Sequence, residues 1–241
     1  MMRQFAKPAP ARNGYQIIMA DFTQEEIDAV YRVMTARRDM RHFLSDPLDN
    51  ALVRRLLAAA HLAPSVGLMQ PWRFIRVCDR VLRASIHALV EAERRETARA
   101  LGERDDEFMR LKVEGILECG ELLVAALAPG RERHVFGRRT MPDMDLASVA
   151  CAIQNMWLAA RAEGIGMGWV SLFDPDRLRL LLRMPPGSRP VAVLCLGHVR
   201  EFYPRPMLET AQWAHGVELE TLVHQDYWSD CGKAEDPPPR T

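Results

Sequence analysis

Two apolar stretches, LLVAALA at 122–128 and RPVAVLCLGHV at 189–199, constrain the fold more than any other feature. Each has strand length and an apolar centre without alternating polar residues, a pattern typical of a strand buried on both faces. Pro129 and Gly130 end the first stretch, since both residues interrupt strands. The sequence therefore predicts that both stretches lie in the interior of a sheet.

Shorter patterns predict the other strands and the helices. RFIRVC at 73–78 and GIGMGWVSLF at 164–173 indicate two further strands. Thr23 and Glu26 have the spacing of a capping box and begin a first helix, which delivers the basic sequence RRDMR at its C-terminal end. The later helices are predicted, in chain order, from Asp49 to Pro64, over 80–100, over 108–119 and over 144–162.

Length and charge limit the classes of function. The chain has 241 residues, 48% of them hydrophobic, enough for one sizeable core, and one domain is favoured. Its 32 basic and 32 acidic residues cancel, so no global field attracts nucleic acid or an anionic membrane surface. No window approaches the ~18 apolar residues of a membrane span, and no apolar leader segment precedes the first helix. Any anion site must therefore be local.

The termini and the cysteines set the expected domain limits and compartment. Residues 1–20 are predicted to be a flexible segment, 21–232 the folded domain, and 233–241, which include DPPPR, a disordered tail. The five cysteines form no CxxC pair, and four of them lie in apolar runs. These features predict reduced thiols, and the protein is expected to be cytoplasmic.

The sequence RRDMRHF, 37–43, is the most distinctive polar motif. Arg37, Arg38 and Arg41 surround one carboxylate, Asp39. Three arginines at a helix end form either a solvated basic face that complements the helix dipole or a phosphate site, because guanidinium groups bind phosphate with two hydrogen bonds. Asp39 is then either a salt-bridge partner or a general acid or base, and spacing alone does not choose between these roles.

Other motifs are weaker or point away from common chemistries. Ser65 and Gly67, in the loop APSVGLMQPW, either shape a turn or leave backbone N–H groups free to bind a polar heterocycle. The glycines of GIGMG follow a helix and precede a strand, the reverse of the dinucleotide fingerprint. Ser171 lies outside any nucleophile elbow, and the scattered histidines have no metal-ligand spacing, so neither a hydrolase triad nor a metal is expected.

Five motifs in this order resemble the nitroreductase-like flavoproteins over about residues 22–230. They are RRDMRHF, AAHLAPSVGLMQPWRFI, LKVEGILE, GIGMGWVSLF and LCLGHV. The arginine cluster and the PS…QPW loop are typical of the whole superfamily. Asp39 within RRDMR and Ser171 after GWV resemble the branch in which reduced FMN is a substrate.

The resemblance implies an α+β, nitroreductase-like fold with a mixed central sheet flanked by helices. It also implies a domain-exchanged homodimer with FMN at the subunit interface. In the branch that the motifs resemble, reduced FMN and dioxygen yield 5,6-dimethylbenzimidazole, the lower ligand of cobalamin, and D-erythrose 4-phosphate. A separate NAD(P)H:flavin reductase is then expected to supply reduced FMN.

The resemblance also implies a set of site residues. Asp39 and Ser171 are the implied catalytic residues, Asp39 as the proton shuttle during breakage of the ribityl carbon–carbon bond. The segment 94–110 is the implied lid over the site, which keeps water from the reacting flavin. The implied FMN-binding residues are Arg37, Arg38, Asp39, Met40, Arg41, Ser65, Gln70, Lys112, Trp169, Val170, Ser171 and Arg205.

The residues leave two alternatives open. One is an FMN-dependent NAD(P)H nitroreductase or a cob(II)yrinic acid a,c-diamide reductase, in which FMN is a carrier of electrons that is not consumed. The other is a flavin-binding or storage protein without chemistry, in which Asp39 only orients Arg37 and Arg41.

Overall fold

The computed structural model describes residues 21–228. The predictions for 1–20 and 233–241, and Cys231, lie outside the described residues. The helices are α1 (Gln24–Ala36), α2 (Asn50–His61), α3 (Arg80–Leu101), α4 (Asp105–Met109), α5 (Met144–Ala162), α6 (Pro175–Leu181) and α7 (Met207–Thr210). The strands are β1 (Trp72–Arg76), β2 (Glu121–Leu127), β3 (Gly166–Val170) and β4 (Arg189–Gly197).

The four strands form one sheet in the order β1-β2-β4-β3, and every neighbouring pair is antiparallel. The predicted α+β class is confirmed, but the predicted mixed sheet is antiparallel across these strands. β2 and β3 run in the same direction, yet β4 lies between them, so no parallel ladder forms. The parallel pairing that does occur is an isolated bridge between Asp39 and Met167, at the free edge of β3.

The apolar strands carry the core, as the sequence predicts. All seven residues of β2 are buried, and alternate side chains enter different hydrophobic clusters on the two faces of the sheet. Leu123 packs in the cluster that includes α2 and α5, whereas Leu122 packs in the cluster that includes α3 and α6. Complete burial of one such leucine contributes about 1.5–3 kcal/mol. The central position of β2 and β4 follows from this two-sided burial.

Helix α1 begins as predicted and ends beside the basic motif. Thr23 Oγ1 accepts the Glu26 N–H at 3.3 Å, and Glu26 Oε2 accepts the Thr23 N–H at 2.8 Å, so the capping box is complete. The helix buries none of its residues, and its apolar positions Val30 and Tyr31 are 53% and 66% exposed. The apolar stripe of α1 therefore lacks cover from the described part of this chain.

The helix predicted over 108–119 does not form, because α4 already ends at Met109. A Cβ atom on Gly115 would lie 2.5 Å from the Phe43 ring and 2.8 Å from the Arg41 carbonyl oxygen. The Glu114 carboxylate also accepts the Ile116 N–H at 2.5 Å, which closes a turn. The segment around Gly115 passes so close to residues 41–43 that it does not form the helix its periodicity predicts. The same contact holds this segment against the basic motif.

Within residues 21–228, no helix combines the length and the hydrophobicity that a membrane span requires.

We expect Gly168→Ala to destabilise the fold, because a Cβ atom there would lie 2.2 Å from the Met40 carbonyl oxygen. Overpacking of this kind costs about 1–3 kcal/mol in the free energy of unfolding, measured by urea denaturation. Gly216→Ala is the control, since its nearest neighbour is a side-chain atom of Glu209 at 3.5 Å. Equal stabilities for the two variants would contradict the close packing of residue 40 against β3.

Candidate active site

The basic motif becomes an extended segment beside β3. The chain leaves α1 at Arg37 with extended dihedral angles, and the Met40 N–H donates to the Met167 carbonyl at 3.0 Å. We call residues 37–42 the arginine segment. Side chains alternate along extended backbone, and the Met40 side chain enters the core, where the residue is 1% exposed. Asp39 and Arg41 are thereby directed away from that core position.

Asp39 and Arg41 form a closed arrangement with the backbone of Trp169. Arg41 Nη2 donates to Asp39 Oδ2 at 2.5 Å and to the Trp169 carbonyl at 2.9 Å. The Trp169 N–H donates to Asp39 Oδ1 at 3.0 Å. Both carboxylate oxygens are thus held by a charged or a backbone donor, which fixes the orientation of Asp39 relative to β3.

The surroundings of Asp39 act in opposite directions on its pKa. Burial raises the pKa of this carboxyl, while Arg41, the Trp169 N–H and Arg37 oppose the rise, and the net shift is upward. The side chain still keeps 41% of its surface and lines a cavity. With a folded pKa above its unfolded value, Asp39 lowers the free energy of unfolding as pH rises through the interval between the two values.

The arginine segment forms one wall of a cavity of about 390 Å³. The polar part of the wall consists of Arg37, Arg38, Asp39 and Arg41. The remaining lining residues, mostly apolar, are Phe108, Leu111, Val113, Pro206, Met207, Leu208 and Trp213. A cavity that combines guanidinium groups with an aromatic and aliphatic wall suits a flat ligand that carries an anion.

Unpartnered nitrogens in this wall fit an anionic ligand. Arg41 is only 9% exposed, and its Nε and Nη1 atoms have no hydrogen-bond partner within residues 21–228. Arg38 Nε is in the same state. Buried donors without partners are costly, so these atoms are suited to an acceptor that enters the cavity. The residues present therefore fit the phosphate or the ring oxygens of a flavin.

The other two arginines occupy different positions in the wall. Arg38 donates to the carbonyls of Thr35, Arg37 and Pro204 at 2.7, 2.6 and 3.0 Å, so it also staples the turn after α1. The Arg37 guanidinium lies 4.8 Å from the Trp157 ring centroid, a cation–π contact that keeps the charge beside the cavity.

The other predicted site residues lie near the cavity but differ in exposure. Trp169 contributes its backbone, whereas Val170 packs its side chain in the core at 2% exposure. Ser171 directly follows β3 and is exposed. Lys112 lies between Leu111 and Val113 of the cavity wall, and its Nζ pairs with Glu118 at 2.6 Å. Arg205 precedes the lining residue Pro206.

Ser65 and Gln70 do not line this cavity. Ser65 Oγ accepts the Gln70 N–H at 3.0 Å, and the neighbouring Val66 N–H donates to Ser148 near the start of α5. Trp157, nine positions further along α5, donates to the Arg38 carbonyl at 3.2 Å. At 1.5 Å per residue the two points lie about 14 Å apart along the helix. Within one chain, the PS…QPW loop and the arginine segment therefore remain separate.

Most residues of the apolar wall, and Tyr203, were not predicted from the sequence to belong to the site. Phe108 and Trp213 pack with ring centroids 5.9 Å apart, and Arg104 lies 3.7 Å over the Trp213 ring. The sequence gives one indication that the tail packs on the domain, which is a set of large aromatic residues after 203 without strand periodicity. Nothing in that local pattern indicates that the tail returns to the arginine segment.

One side-chain group in the described chain has metal-ligand chemistry. His87, Glu91 and Glu114 offer ligand atoms within 4.8 Å of one another. Arg94 pairs with Glu91 at 3.2 Å, and Lys112 lies 3.9 Å from Glu114. These cations already offset the carboxylate charge, so the group behaves as an ion-pair cluster.

Comparisons with known proteins agree with the fold and the motifs. A model of the nitroreductase family matches residues 34–198. A 5,6-dimethylbenzimidazole synthase from Rhodospirillum rubrum is 44% identical over 194 residues, which cover 79% of this chain and 90% of the relative. One from Rhodobacter capsulatus is 41% identical over 203 residues, with 83% and 98% covered.

Solved structures extend the likeness to the fold. The NADPH:FMN oxidoreductase from Vibrio harveyi has a TM-score of 0.62 at 18% identity, covering 85% of this chain and 80% of the other. Iodotyrosine deiodinase bound to FMN and 3-iodo-L-tyrosine has a TM-score of 0.58 at 25% identity, covering 73% and 94%. The chain belongs to the nitroreductase family of flavoproteins. Within that family, the curated relatives quoted above are enzymes of one name, 5,6-dimethylbenzimidazole synthase.

We expect Arg41→Gln to raise the pKa of Asp39 further, because Arg41 is the largest of the influences that oppose the effect of burial. A carbon-13 NMR titration of the Asp39 carboxyl measures the change. Arg99→Gln is a matched control, since Arg99 pairs with Glu96 on the surface of α3. An unchanged Asp39 titration in Arg41→Gln would show that the ion pair does not control this carboxyl.

Proposed function

We propose that the protein converts reduced FMN and dioxygen into 5,6-dimethylbenzimidazole, the lower ligand of cobalamin, and D-erythrose 4-phosphate. The observation that carries the proposal is Asp39, held by Arg41 and the Trp169 N–H at the wall of a cavity with unpartnered buried guanidinium nitrogens. The names of the sequence relatives support formation of 5,6-dimethylbenzimidazole. A separate NAD(P)H:flavin reductase would supply the reduced FMN.

The guanidinium groups of the arginine segment would hold the flavin. Arg41 has buried donors to offer, and Arg37 contributes charge beside the cavity. Arg38 offers its Nε while its other donors keep the turn after α1 in place. Together these residues would meet the phosphate, ribityl and ring oxygens. Lys112, Ser171 and Arg205 would add contacts from the surrounding segments, and the exposed hydroxyl of Ser171 would hydrogen-bond near the reactive edge.

Asp39 would be the acid and base of the reaction. Bound reduced FMN supplies the electrons that dioxygen accepts and also the carbon framework that is divided between the products. Asp39 would accept and return a proton at its carboxylate oxygens while the ribityl chain is cleaved. Its raised pKa favours this role, because protonated and ionised forms are then both populated closer to neutral pH.

The apolar wall would exclude water from the reaction. Phe108 of α4 and Trp213 of the tail both line the cavity, and their ring centroids lie 5.9 Å apart. Arg104 donates to the Trp213 carbonyl at 3.2 Å. Arg104 and Phe108 belong to the segment 94–110, for which we infer the role of a lid. Water in the cavity would favour release of hydrogen peroxide over fragmentation.

A homodimer would complete the site. Ser65 and Gln70 lie away from the cavity of their own chain, so in a domain-exchanged homodimer they would reach the cavity of the partner. The exposed apolar stripe of α1, with Val30 and Tyr31, offers surface for such an assembly. We infer a cytoplasmic protein because the four cysteines within the described residues are free thiols.

The proposal is tested by mixing the protein with reduced FMN in air and identifying the products by chromatography and mass, alongside Asp39→Asn. We expect 5,6-dimethylbenzimidazole from the parent and a rate lower by roughly 100- to 10,000-fold in the variant, since a general acid–base group is lost. FMN binding should be retained. Intact oxidised FMN from both proteins, with steady nicotinamide oxidation, would instead identify a flavin-dependent reductase.

We expect Trp213→Ala to lower the ratio of 5,6-dimethylbenzimidazole to hydrogen peroxide, because the variant loses the ring that packs on Phe108. Both products are quantified in the same reaction. Trp228→Ala is the matched control, since that ring is 86% exposed. If the product ratio is the same in both variants, the apolar wall does not exclude water as inferred.

A further inference from the structure

The chain after β4 crosses the arginine segment and holds it at several points. The Pro204 carbonyl accepts from Arg38 Nη2 at 3.0 Å. The Arg161 guanidinium lies 3.9 Å over the Phe202 ring, while its Nε donates to the Ala36 carbonyl at 3.0 Å. The last residue of α1 and the start of the arginine segment are therefore tied to residues that are distant in sequence.

Tyr203 makes the most specific of these contacts. Its hydroxyl accepts the backbone N–H of Arg41 at 3.2 Å and lies 2.6 Å from His42 Nδ1. A phenol offers one donor and two acceptor positions, so it can accept from Arg41 and donate to a neutral His42 at the same time. The two rings meet nearly edge to face, at an interplanar angle of 81°.

The Arg41 N–H needs this partner because of the alternation of extended backbone. The Met40 N–H donates to β3, so the next N–H along the segment points to the other side, where no strand of residues 21–228 continues the sheet. Arg41 is 9% exposed, and a buried N–H without a partner is unfavourable. Tyr203 takes the place of a neighbouring strand at this point.

We propose that Tyr203 is a positioning residue, which fixes the main chain of Arg41 so that its guanidinium stays against Asp39 and the Trp169 carbonyl. The inference rests on the proposed function. Tyr203 lies outside the cavity lining, so it acts through Arg41 and needs no contact with the flavin. The charged groups that face Asp39 are Arg37 and Arg41, and a displaced Arg41 changes the environment of the carboxyl and of the ligand together.

Tyr203→Phe tests the inference, because it removes the hydroxyl and keeps the ring. We expect the dissociation constant for oxidised FMN, measured by flavin fluorescence, to rise by up to about tenfold, the upper range for loss of one neutral hydrogen bond. The pKa of Asp39 in the ligand-free protein should also rise, since Arg41 opposes the effect of burial. His42→Gln, which leaves the hydroxyl in place, should change FMN affinity by about threefold or less.

Tyr227→Phe is the matched control, because its side chain is 84% exposed. A loss of thermal stability in Tyr203→Phe with an unchanged Asp39 titration and unchanged FMN affinity would overturn the inference and leave only a structural role. The proposed function is judged separately by the products of the parent. If the parent forms no 5,6-dimethylbenzimidazole, that function fails, whereas the affinity and titration still decide the role of Tyr203.

Discussion

The parallel contact between the arginine segment and the edge of β3 is the interaction on which the site depends. The bond from the Met40 N–H to the Met167 carbonyl sets the register, and that register places Asp39 opposite the Trp169 N–H. A shift by one residue would turn Met40 outward and Asp39 into the core, because side chains alternate along extended backbone. Gly168 permits the approach, since a Cβ atom there would meet the Met40 carbonyl.

This contact also explains how Asp39 can lie among arginines and still exchange a proton. Arg41 uses Nη2 for both Asp39 and Trp169, which leaves Nε and Nη1 for a ligand. Asp39 in turn has a net upward pKa shift despite the adjacent charge, because burial outweighs it. In the proposed reaction the same pair would bind an anion and exchange a proton. These two roles conflict at an exposed salt bridge.

The sequence predicted the elements that depend on local pattern. The buried strands, the capping box of α1 and the association of Asp39 with the arginines needed only periodicity, spacing and charge. Features that depend on distant chain segments could not be predicted in this way. Tyr203 is 162 positions from Arg41, and the failure of helix 108–119 follows from contact of Gly115 with Phe43. Sheet direction was likewise missed, because strand order is not encoded within any one strand.

In the proposed reaction, reduced FMN is consumed as a substrate. The most direct measurement is a single turnover in which protein loaded with reduced FMN without oxygen is mixed with air-saturated buffer, and all flavin and benzimidazole are quantified. We expect each FMN lost through fragmentation to yield one 5,6-dimethylbenzimidazole, with oxidised FMN as a minor product. Quantitative recovery of oxidised FMN, with hydrogen peroxide in equal amount, would contradict it.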